Sequence, residues 1–344
     1  MDIKPSTPPA AFPACHVLLP QGTEHRRASF YLAAEEYVAE ALPEDYYFFT
    51  WQLNPTVVMG RNQVAHREIN LDYCQCHHID VIRRKSGGGC IYADRGNLML
   101  SLITPKGAVE PLFAEYAHSV AETLCRLGAP VMVSGRNDIC LAEGGKVCGN
   151  AFYHLPHRNI VHGTMLYDTD AANMQAAITP DKSKLQKAGV ASVKSRIGLL
   201  KQVLPVDINT LRSAICNNLC NRSVKLTNDD VKHIEEIEKS YLTHEHLYGN
   251  NIRTALVHAR RIEGCGKVEI RFSLRGSTID EMQLTGDFFE CGDATEAFRK
   301  AFVGTTYTIE SLRDAVRTHH PEQSIRRLSE TALLDLLTGE PQTE

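Results

Sequence analysis

The chain has 344 residues and a formal net charge of −4, so it lacks the overall basic charge that favours nucleic acid or an anionic membrane surface. No apolar run approaches the roughly 18 residues that a membrane-spanning helix needs, and residues 1–15 lack the continuous apolar segment of a signal peptide. Eleven cysteines without a repeating spacing favour a reducing compartment over a disulfide scaffold. We therefore expect a cytoplasmic protein that binds neither nucleic acid nor membrane.

Hydrophobic periodicity predicts mixed α and β structure without internal repeats. Helical patterns cover residues 30–41, with Glu35 and Glu36 assigned to the polar side, and residues 111–127. The predicted strands of this part are 47–51, 56–59, 98–103, 131–133 and 164–167. Residues 228–251 predict a helix and a linker. Residues 267–274 and 278–284 then predict a hairpin that turns at Arg275-Gly276-Ser277, followed by helices over 308–316 and 329–337. We place a domain boundary at residue 248, which gives domains 1–248 and 249–344.

A run of three glycines carries the first chemical signal. Ile79, Val81 and Ile82 form an apolar approach to the stretch Arg83-Arg84-Lys85-Ser86-Gly87-Gly88-Gly89-Cys90-Ile91-Tyr92. Glycines permit positive φ and close approach of a ligand to the backbone, while successive N–H groups beside guanidinium donors attract anions. The stretch matches neither the G-x-x-x-x-G-K-[ST] loop nor G-x-G-x-x-G. It predicts a strand that ends in an anion-binding loop.

A lysine between glycines carries the second signal. In Gly144-Gly145-Lys146-Val147-Cys148-Gly149-Asn150-Ala151, we expect Lys146 at the tip of a hairpin, with its ammonium group reaching into a pocket. Three further motifs accompany it: Thr56-Val57-Val58-Met59-Gly60-Arg61-Asn62-Gln63, Gly135-Arg136-Asn137-Asp138 and Val161-His162-Gly163-Thr164.

In this order, the motifs resemble those of the lipoate–protein ligases in the biotin/lipoyl protein ligase superfamily, and the resemblance spans nearly the whole chain. The family pattern has a T-V-V-x-G-R-x-Q strand end, R-R-x-S-G-G-G, G-R-N-D, K-x-S-G-x-A and H-G-T. This chain departs from it at Cys148, where the family usually has Ser. Residues 179–184 and 192–196 also resemble a loop of the family. The resemblance implies an α+β fold: a large catalytic domain with a mixed sheet and flanking helices, and a small α/β C-terminal accessory domain.

The resemblance also implies a function. The protein would use ATP and Mg²⁺ to activate lipoate to lipoyl-AMP, then transfer the lipoyl group to a lysine of apo lipoyl domains in 2-oxoacid dehydrogenase E2 subunits and the glycine cleavage H protein. Lys146 is the implied catalytic residue, and no carboxylate cluster identifies metal ligands. The residues implied to contact or orient the nucleotide, the phosphates, the metal or the lysine are Arg84, Gly87, Gly88, Gly89, Cys90, Ile91, Tyr92, Asn97, Asn137, Asp138, Lys146 and His162.

Activation brings the carboxylate of lipoate against the α-phosphate, and fixed cations and N–H dipoles must cancel their repulsion. Arg84, the loop formed by Gly87, Gly88 and Gly89 (the glycine loop) and Lys146 are expected to supply them. The dithiolane tail needs an apolar slot, and the expected lining residues are Val57, Met59, Tyr153 and Met165, with ordinary core packing as the alternative for each. His162 is expected at a strand start, either as a base or orienting group or as a structural residue.

Several alternatives stay open. An ATP-independent octanoyl or lipoyl transferase needs a cysteine nucleophile, which the resemblance implies after residues 178–180, where this chain has Asp181. Cys148 keeps a variant of this function open if its pKa is lowered, whereas a Ser-to-Cys exchange in a packed turn is the plainer interpretation. A non-catalytic lipoate-binding protein is the third alternative. Cys74-Gln75-Cys76-His77-His78 is too tightly spaced for a zinc site without a second pair of ligands, and Cys216 and Cys220 fit a helical core face.

Overall fold

The computed structural model describes residues 13–107, 109–134, 138–178, 197–249 and 256–339. The strands in these segments are β1 (Ala14–Leu18), β2 (Tyr47–Trp51), β3 (Thr56–Met59), β4 (Asp80–Arg83), β5 (Ile91–Ala93), β6 (Asn97–Pro105), β7 (Val131–Ser134), β8 (Asp138–Leu141), β9 (Lys146–His154), β10 (Arg158–Leu166), β11 (Cys220–Lys225), β12 (Leu256–Ile262), β13 (Gly266–Arg275) and β14 (Thr278–Gly286). The α-helices are α1 (Ala28–Ala41), α2 (Ala65–Glu68), α3 (Leu71–Cys76), α4 (Val109–Arg126), α5 (Ala171–Ala177), α6 (Ile208–Leu219), α7 (Asn228–Tyr241), α8 (His244–Tyr248), α9 (Ala294–Phe302), α10 (Ile309–His319) and α11 (Glu330–Leu337).

Most predicted elements are confirmed, because their apolar periods are strong and their ends carry turn or capping residues. The strands at 47–51 and 56–59 have the predicted bounds, and the hairpin of β13 and β14 turns at Gly276 and Ser277. Thr227 and Asp230 form a capping box that begins α7, and the Ser329 side chain caps α11. The strand predicted at 164–167 begins earlier, at Arg158, so His162 lies in the middle of β10 and not at a strand start.

The large sheet of the described residues has the strand order β11-β1-β2-β6-β10-β9-β8-β7. β1 pairs in parallel with β11 and β2, whereas the remaining neighbours pair in antiparallel fashion. β10 is buried at every position and pairs over its length with β6 on one side and β9 on the other. Side chains that project from β10 therefore meet the centre of the sheet.

Helices cover both faces of this sheet. One core joins the sheet to α4 and α6, through residues such as Val120, Leu124 and Ile215. The other core joins it to α1 and α7, through residues such as Phe30, Val38 and Ile234. The α1 helix is enclosed between the sheet and α7, and this position overturns one prediction. Glu35 and Glu36 are buried, at 0% and 6% exposure, and do not lie on a solvent-facing side.

Two smaller sheets complete the fold. In the order β4-β3-β5, β3 pairs in parallel with β4 and in antiparallel fashion with β5, and this small sheet leads into the glycine-rich stretch. The C-terminal strands form an antiparallel meander, β12-β13-β14, whose own core includes Phe272, Phe298 and Leu333. These features confirm the α+β class with a large unit and a small C-terminal one. The boundary at residue 248 stays a prediction.

The part of the chain that the structure describes contains no helix both long enough and apolar enough to cross a membrane.

Candidate active site

The glycine loop is built around the side chain of Arg84. This side chain is 5% exposed, and its guanidinium group donates to the Ser86 hydroxyl at 2.9 Å and the Val58 carbonyl at 3.0 Å. Its Nη2 atom donates to the carbonyls of Gly87 and Gly89 at 2.7 and 2.8 Å. Burial lowers the pKa of Arg84 to about 10, so the group stays protonated at neutral pH. A guanidinium has five N–H donors, so these four bonds use most of its donors to hold the loop and to attach it to the carbonyl of Val58.

The loop also contacts the C-terminal unit. Gly88 has a φ of +89°, a conformation that glycine adopts without strain, and its N–H donates to the Phe288 carbonyl at 2.9 Å. The ring of Phe289 packs beside Gly88 and stacks on Phe152 with ring centroids 5.6 Å apart. Asn62 donates to the buried carboxyl group of Glu290 at 2.8 Å. These contacts bring the C-terminal unit against one side of the loop.

Lys146 begins strand β9, directly after a turn at residues 142–145, so it follows the hairpin turn and does not lie at its tip as predicted. Its ammonium group is 3.3 Å from Asp138 Oδ1, and the lysine side chain is 40% exposed. A side chain at Gly149 would place its Cβ only 2.8 Å from Lys146 Nζ. Glycine at position 149 therefore leaves the space through which the lysine side chain passes.

A cavity of about 420 Å³ lies between the loop, the lysine and the large sheet. Its polar lining includes Arg84, Asp138, Lys146, Asn150 and His162. Its apolar lining includes Leu32, Trp51, Val58 and Met99. The cavity therefore combines a fixed positive charge with an apolar wall, and its volume suits a small molecule with a charged head and an apolar tail.

The structure brings eight of the predicted site residues to this cavity. They are Arg84, Gly88, Gly89, Cys90, Ile91, Asp138, Lys146 and His162. Gly87 lines a neighbouring cavity together with Arg61 and Glu290. Tyr92 is buried in a separate core with Val57, because neighbouring strand residues face opposite sides of a sheet. Asn97 is fully buried and accepts the backbone N–H of Asp94 at 2.9 Å, which makes it a turn residue. Asn137 lies outside the described residues.

The four residues expected to line an apolar slot lie elsewhere. Val57 and Met59 pack in the core beneath α3 and α5, and Met165 packs in the core beside α4. Tyr153 borders the neighbouring cavity. The core-packing alternative therefore holds for Val57, Met59 and Met165, while Val58, one position along the strand, faces the cavity.

A chain of buried hydrogen bonds supports the cavity wall. His162 Nε2 lies 2.6 Å from the Ser86 hydroxyl, and His162 Nδ1 lies 3.0 Å from a carboxylate oxygen of Glu35. Ser101 donates to the other oxygen of Glu35 and accepts the indole N–H of Trp51 at 2.8 Å. Because the carboxylate oxygen of Glu35 is an acceptor, Nδ1–H donates to it, and Nε2 then accepts the hydroxyl hydrogen of Ser86, whose oxygen also accepts from Arg84. The chain links the loop to a buried carboxylate on α1.

Four residues that line or support the cavity were not predicted from the sequence: Trp51, Glu35, Ser101 and Leu32. Trp51 is the single tryptophan of the chain, and Glu35 interrupts an otherwise apolar stretch of α1. Both features were visible signals, but only the fold brings the two side chains to His162 and Ser101.

The Glu35→Gln variant is expected to be less stable than the wild type by about 1–3 kcal/mol, because it removes the charge from two buried hydrogen bonds and places an amide donor opposite an existing donor. Equilibrium unfolding in urea measures the change in the free energy of unfolding. Glu40→Gln is the control, because Glu40 lies on the same helix and is exposed. An equal effect of both substitutions would contradict the role of Glu35 in this chain.

The remaining candidate ligands form no second centre. The described residues contain no group of three or more His, Cys, Asp or Glu side chains placed to hold a metal. Cys74 is buried and Cys76 is exposed on α3, while Cys216 packs in the core of α6. All eleven cysteines are free thiols.

Comparisons with known proteins match this chain to the same family that its sequence motifs resemble. Residues 27–220 match the lipoyl protein ligase A/B catalytic domain, and residues 251–337 match the bacterial lipoate protein ligase C-terminus. The chain is 32% identical to lipoate–protein ligase 1 of Staphylococcus aureus, over 83% of this chain and 89% of that protein. It is 30% identical to lipoate–protein ligase LplJ of Bacillus subtilis, over 89% of this chain and 95% of that protein. The crystal structure of P. falciparum LipL1 in complex with lipoate superposes with a TM-score of 0.77 at 18% identity, over 94% of this chain and 97% of that one.

Proposed function

The chain belongs to the lipoate–protein ligase family, and from this membership we propose that it activates lipoate with ATP and transfers the lipoyl group to a lysine of an apo lipoyl domain. The observation that carries the proposal is one cavity lined by Lys146, by the glycine loop and by an apolar wall that includes Trp51. A carboxylate with an apolar tail and a nucleotide phosphate both find partners there.

In the first half-reaction, the carboxylate of lipoate attacks the α-phosphorus of ATP and pyrophosphate leaves. We assign Lys146 to the space between these two anions, where its ammonium group offsets their repulsion. Asp138, 3.3 Å from the ammonium group, keeps that group oriented. In the second half-reaction, an amine attacks the carbonyl carbon of lipoyl-AMP, the bond from this carbon to the phosphate oxygen breaks and AMP leaves, while the amine loses a proton to solvent. Lys146 stabilises the charge that develops on the carbonyl and phosphate oxygens.

The tail of lipoate is assigned to the wall formed by Leu32, Trp51, Val58 and Met99. His162 is assigned as a positioning residue and not as a base, because Ser86 and Glu35 engage both of its ring nitrogens. Through Ser86 it braces the loop that faces the carboxylate of the substrate.

Mg²⁺ is proposed as the partner of ATP. It binds through one or two carboxylates together with substrate phosphates and rarely needs an all-protein cage. Asp138 lines the cavity and is 33% exposed, so its carboxylate fits this requirement. The ion would neutralise phosphate charge when it is bound.

The proposed acceptors are apo lipoyl domains, such as those of 2-oxoacid dehydrogenase E2 subunits and of the glycine cleavage H protein. The proposed location is the cytoplasm. Eleven free thiols support it, because disulfides are rare in that reducing compartment.

The transferase alternative lacks support from the cysteines. Position 181, where the resemblance implied the nucleophile, is Asp and lies outside the described residues. Cys148 is fully buried, and burial raises its pKa to about 12 although the nearby Lys146 lowers it. Since the thiolate is the nucleophile, Cys148 fits a structural thiol that lies 3.7 Å from Asn150 Oδ1.

Cys148→Ser is expected to retain lipoate ligation within about threefold of the wild type, since a buried neutral thiol has no part in the transfer. In the wild type, iodoacetamide at pH 8 is expected to modify the exposed Cys76, Cys125 and Cys291 and to leave Cys148 unmodified. Mass spectrometry of the digested protein checks this. Loss of most ligation in a variant that still binds lipoate would restore the cysteine-dependent function.

The test of the proposed function is ATP–pyrophosphate exchange by the purified protein, with and without lipoate and with no acceptor. Exchange that depends on lipoate is expected, followed by stoichiometric lipoylation when an apo lipoyl domain is added. An acceptor whose target lysine is replaced by arginine serves as the control. Absence of exchange in a protein that still binds lipoate would reject the function.

A further inference from the structure

The C-terminal unit contributes an arginine to the cavity. Arg261 on β12 and Asp287, the residue after β14, line the same cavity as Lys146 and Asp138. Arg261 Nη2 lies 3.0 Å from Asp287 Oδ2, and the two side chains are 20% and 8% exposed. This ion pair is therefore largely shielded from solvent, and it belongs to a different unit from the lysine and the glycine loop.

The carboxylate of Asp287 is held in place by the backbone. Its Oδ1 atom accepts the N–H of Lys267, while the N–H of Asp287 donates to the Lys267 carbonyl at 3.1 Å. A carboxylate fixed in this way restricts the rotation of the guanidinium group bound to it. Asp287 is therefore suited to orient Arg261 towards the cavity.

The residue roles proposed above assign no lysine or arginine to the β- and γ-phosphates of ATP. Among the described residues that line it, the lysine and arginine side chains are Arg84, Lys146 and Arg261. Arg84 donates three hydrogen bonds to its own loop and one to the Val58 carbonyl of β3, and Lys146 is assigned to the carboxylate and the α-phosphate. The β- and γ-phosphates carry most of the charge of ATP, and no lysine or arginine has yet been assigned to them beside the proposed Mg²⁺. The planar fork of a guanidinium matches phosphate oxygens better than a point charge does.

We propose that Arg261 binds the β- and γ-phosphates of ATP and stabilises pyrophosphate as it leaves, and that Asp287 positions it; this inference rests on the proposed function. In this step a carboxylate oxygen of lipoate forms a bond to the α-phosphorus, and the bond from that phosphorus to the bridging oxygen breaks. The bonding electron pair stays on the bridging oxygen and departs with pyrophosphate. No proton is transferred, so negative charge accumulates on the leaving group, next to Arg261.

Arg261→Gln separates the two half-reactions. ATP–pyrophosphate exchange is expected to fall on the order of 10²-fold, with a higher KM for pyrophosphate. Transfer from supplied, chemically prepared lipoyl-AMP to an apo lipoyl domain is expected to stay within about threefold of the wild type, because that step contains no pyrophosphate. Arg260→Gln is the matched control: Arg260 precedes it on the same strand, is 57% exposed and lies 4.0 Å from Asp335.

Two further variants guard against a folding defect. Arg261→Lys keeps a cation and is expected to lose less exchange than Arg261→Gln. Asp287→Asn is expected to lower exchange but not transfer, as a positioning residue should. Exchange by Arg261→Gln within about threefold of the wild type, or equal losses in both half-reactions, would overturn the proposal. Absence of exchange in the wild type would instead reject the proposed function, and this inference with it.

Discussion

Lys146→Ala is expected to lower both half-reactions on the order of 10²- to 10³-fold, the effect of removing one preorganised charged donor from a site. The lysine is the cation assigned to the carboxylate of lipoate and to the α-phosphate, and it faces the same carbonyl during transfer. Because the loss falls on both steps, ATP–pyrophosphate exchange and transfer from supplied lipoyl-AMP should decline together. This pattern differs from the one expected for Arg261, where only the first step declines.

Lys201→Ala is the control for this experiment. Lys201 forms an ion pair with Asp168 at 2.5 Å and is 57% exposed, so its loss should change neither step. Binding of lipoate, measured by calorimetry, should weaken in Lys146→Ala but remain detectable, since the apolar wall is intact. Turnover within a few-fold of the wild type would show that the catalytic residue is assigned wrongly.

Short sequence motifs predicted most of the polar residues of the site. The glycine run and the lysine between glycines are short stretches whose chemistry is set by residues adjacent in sequence, and the fold brings them to one cavity. His162 was predicted in the same way, from the His162-Gly163-Thr164 motif. Its partners were not, because Glu35 and Ser101 lie 127 and 61 positions from it and only the packing of α1 and β6 on β10 brings them near.

The apolar part of the site could not be predicted, and the reason is geometric. β3 is buried at all four of its positions, so hydrophobicity does not indicate which face meets the ligand. Val57 and Met59 were predicted to line the slot for the lipoate tail, but Val58 is the residue that lines the cavity. The same one-residue alternation moved Tyr92 into a core while Ile91 lines the cavity.

The contribution of the C-terminal unit was also invisible in the sequence. Arg261 lies in β12, a strand that the sequence pattern did not predict, and Asp287 directly follows β14; no motif marks either residue. Their position at the cavity depends on how the unit docks, through Phe289 on Phe152 and through the bond from Asn62 to Glu290.

Arg84→Lys is expected to lose about 3 kcal/mol of stability and, independently of unfolding, most of the activity, although the positive charge is retained. A lysine cannot span the arginine's four acceptors, so buried carbonyl groups lose their donors, at about 1–3 kcal/mol each. The loop carbonyls of Gly87 and Gly89 are among them, so the loop should lose its shape. Urea unfolding and ATP–pyrophosphate exchange, both compared with the wild type, check the two effects.

Arg27→Lys is the matched control, because Arg27 makes a bidentate pair with Asp80 at the surface and is 50% exposed, where an ion pair contributes at most about 1 kcal/mol. If Arg84→Lys were as stable and as active as this control, charge alone would suffice and the arginine would not build the loop. If stability fell but exchange below the unfolding transition did not, the loop would not shape the site. If the guanidinium group of Arg84 shapes the loop, Arg84→Lys should lose both stability and exchange even though it keeps the positive charge.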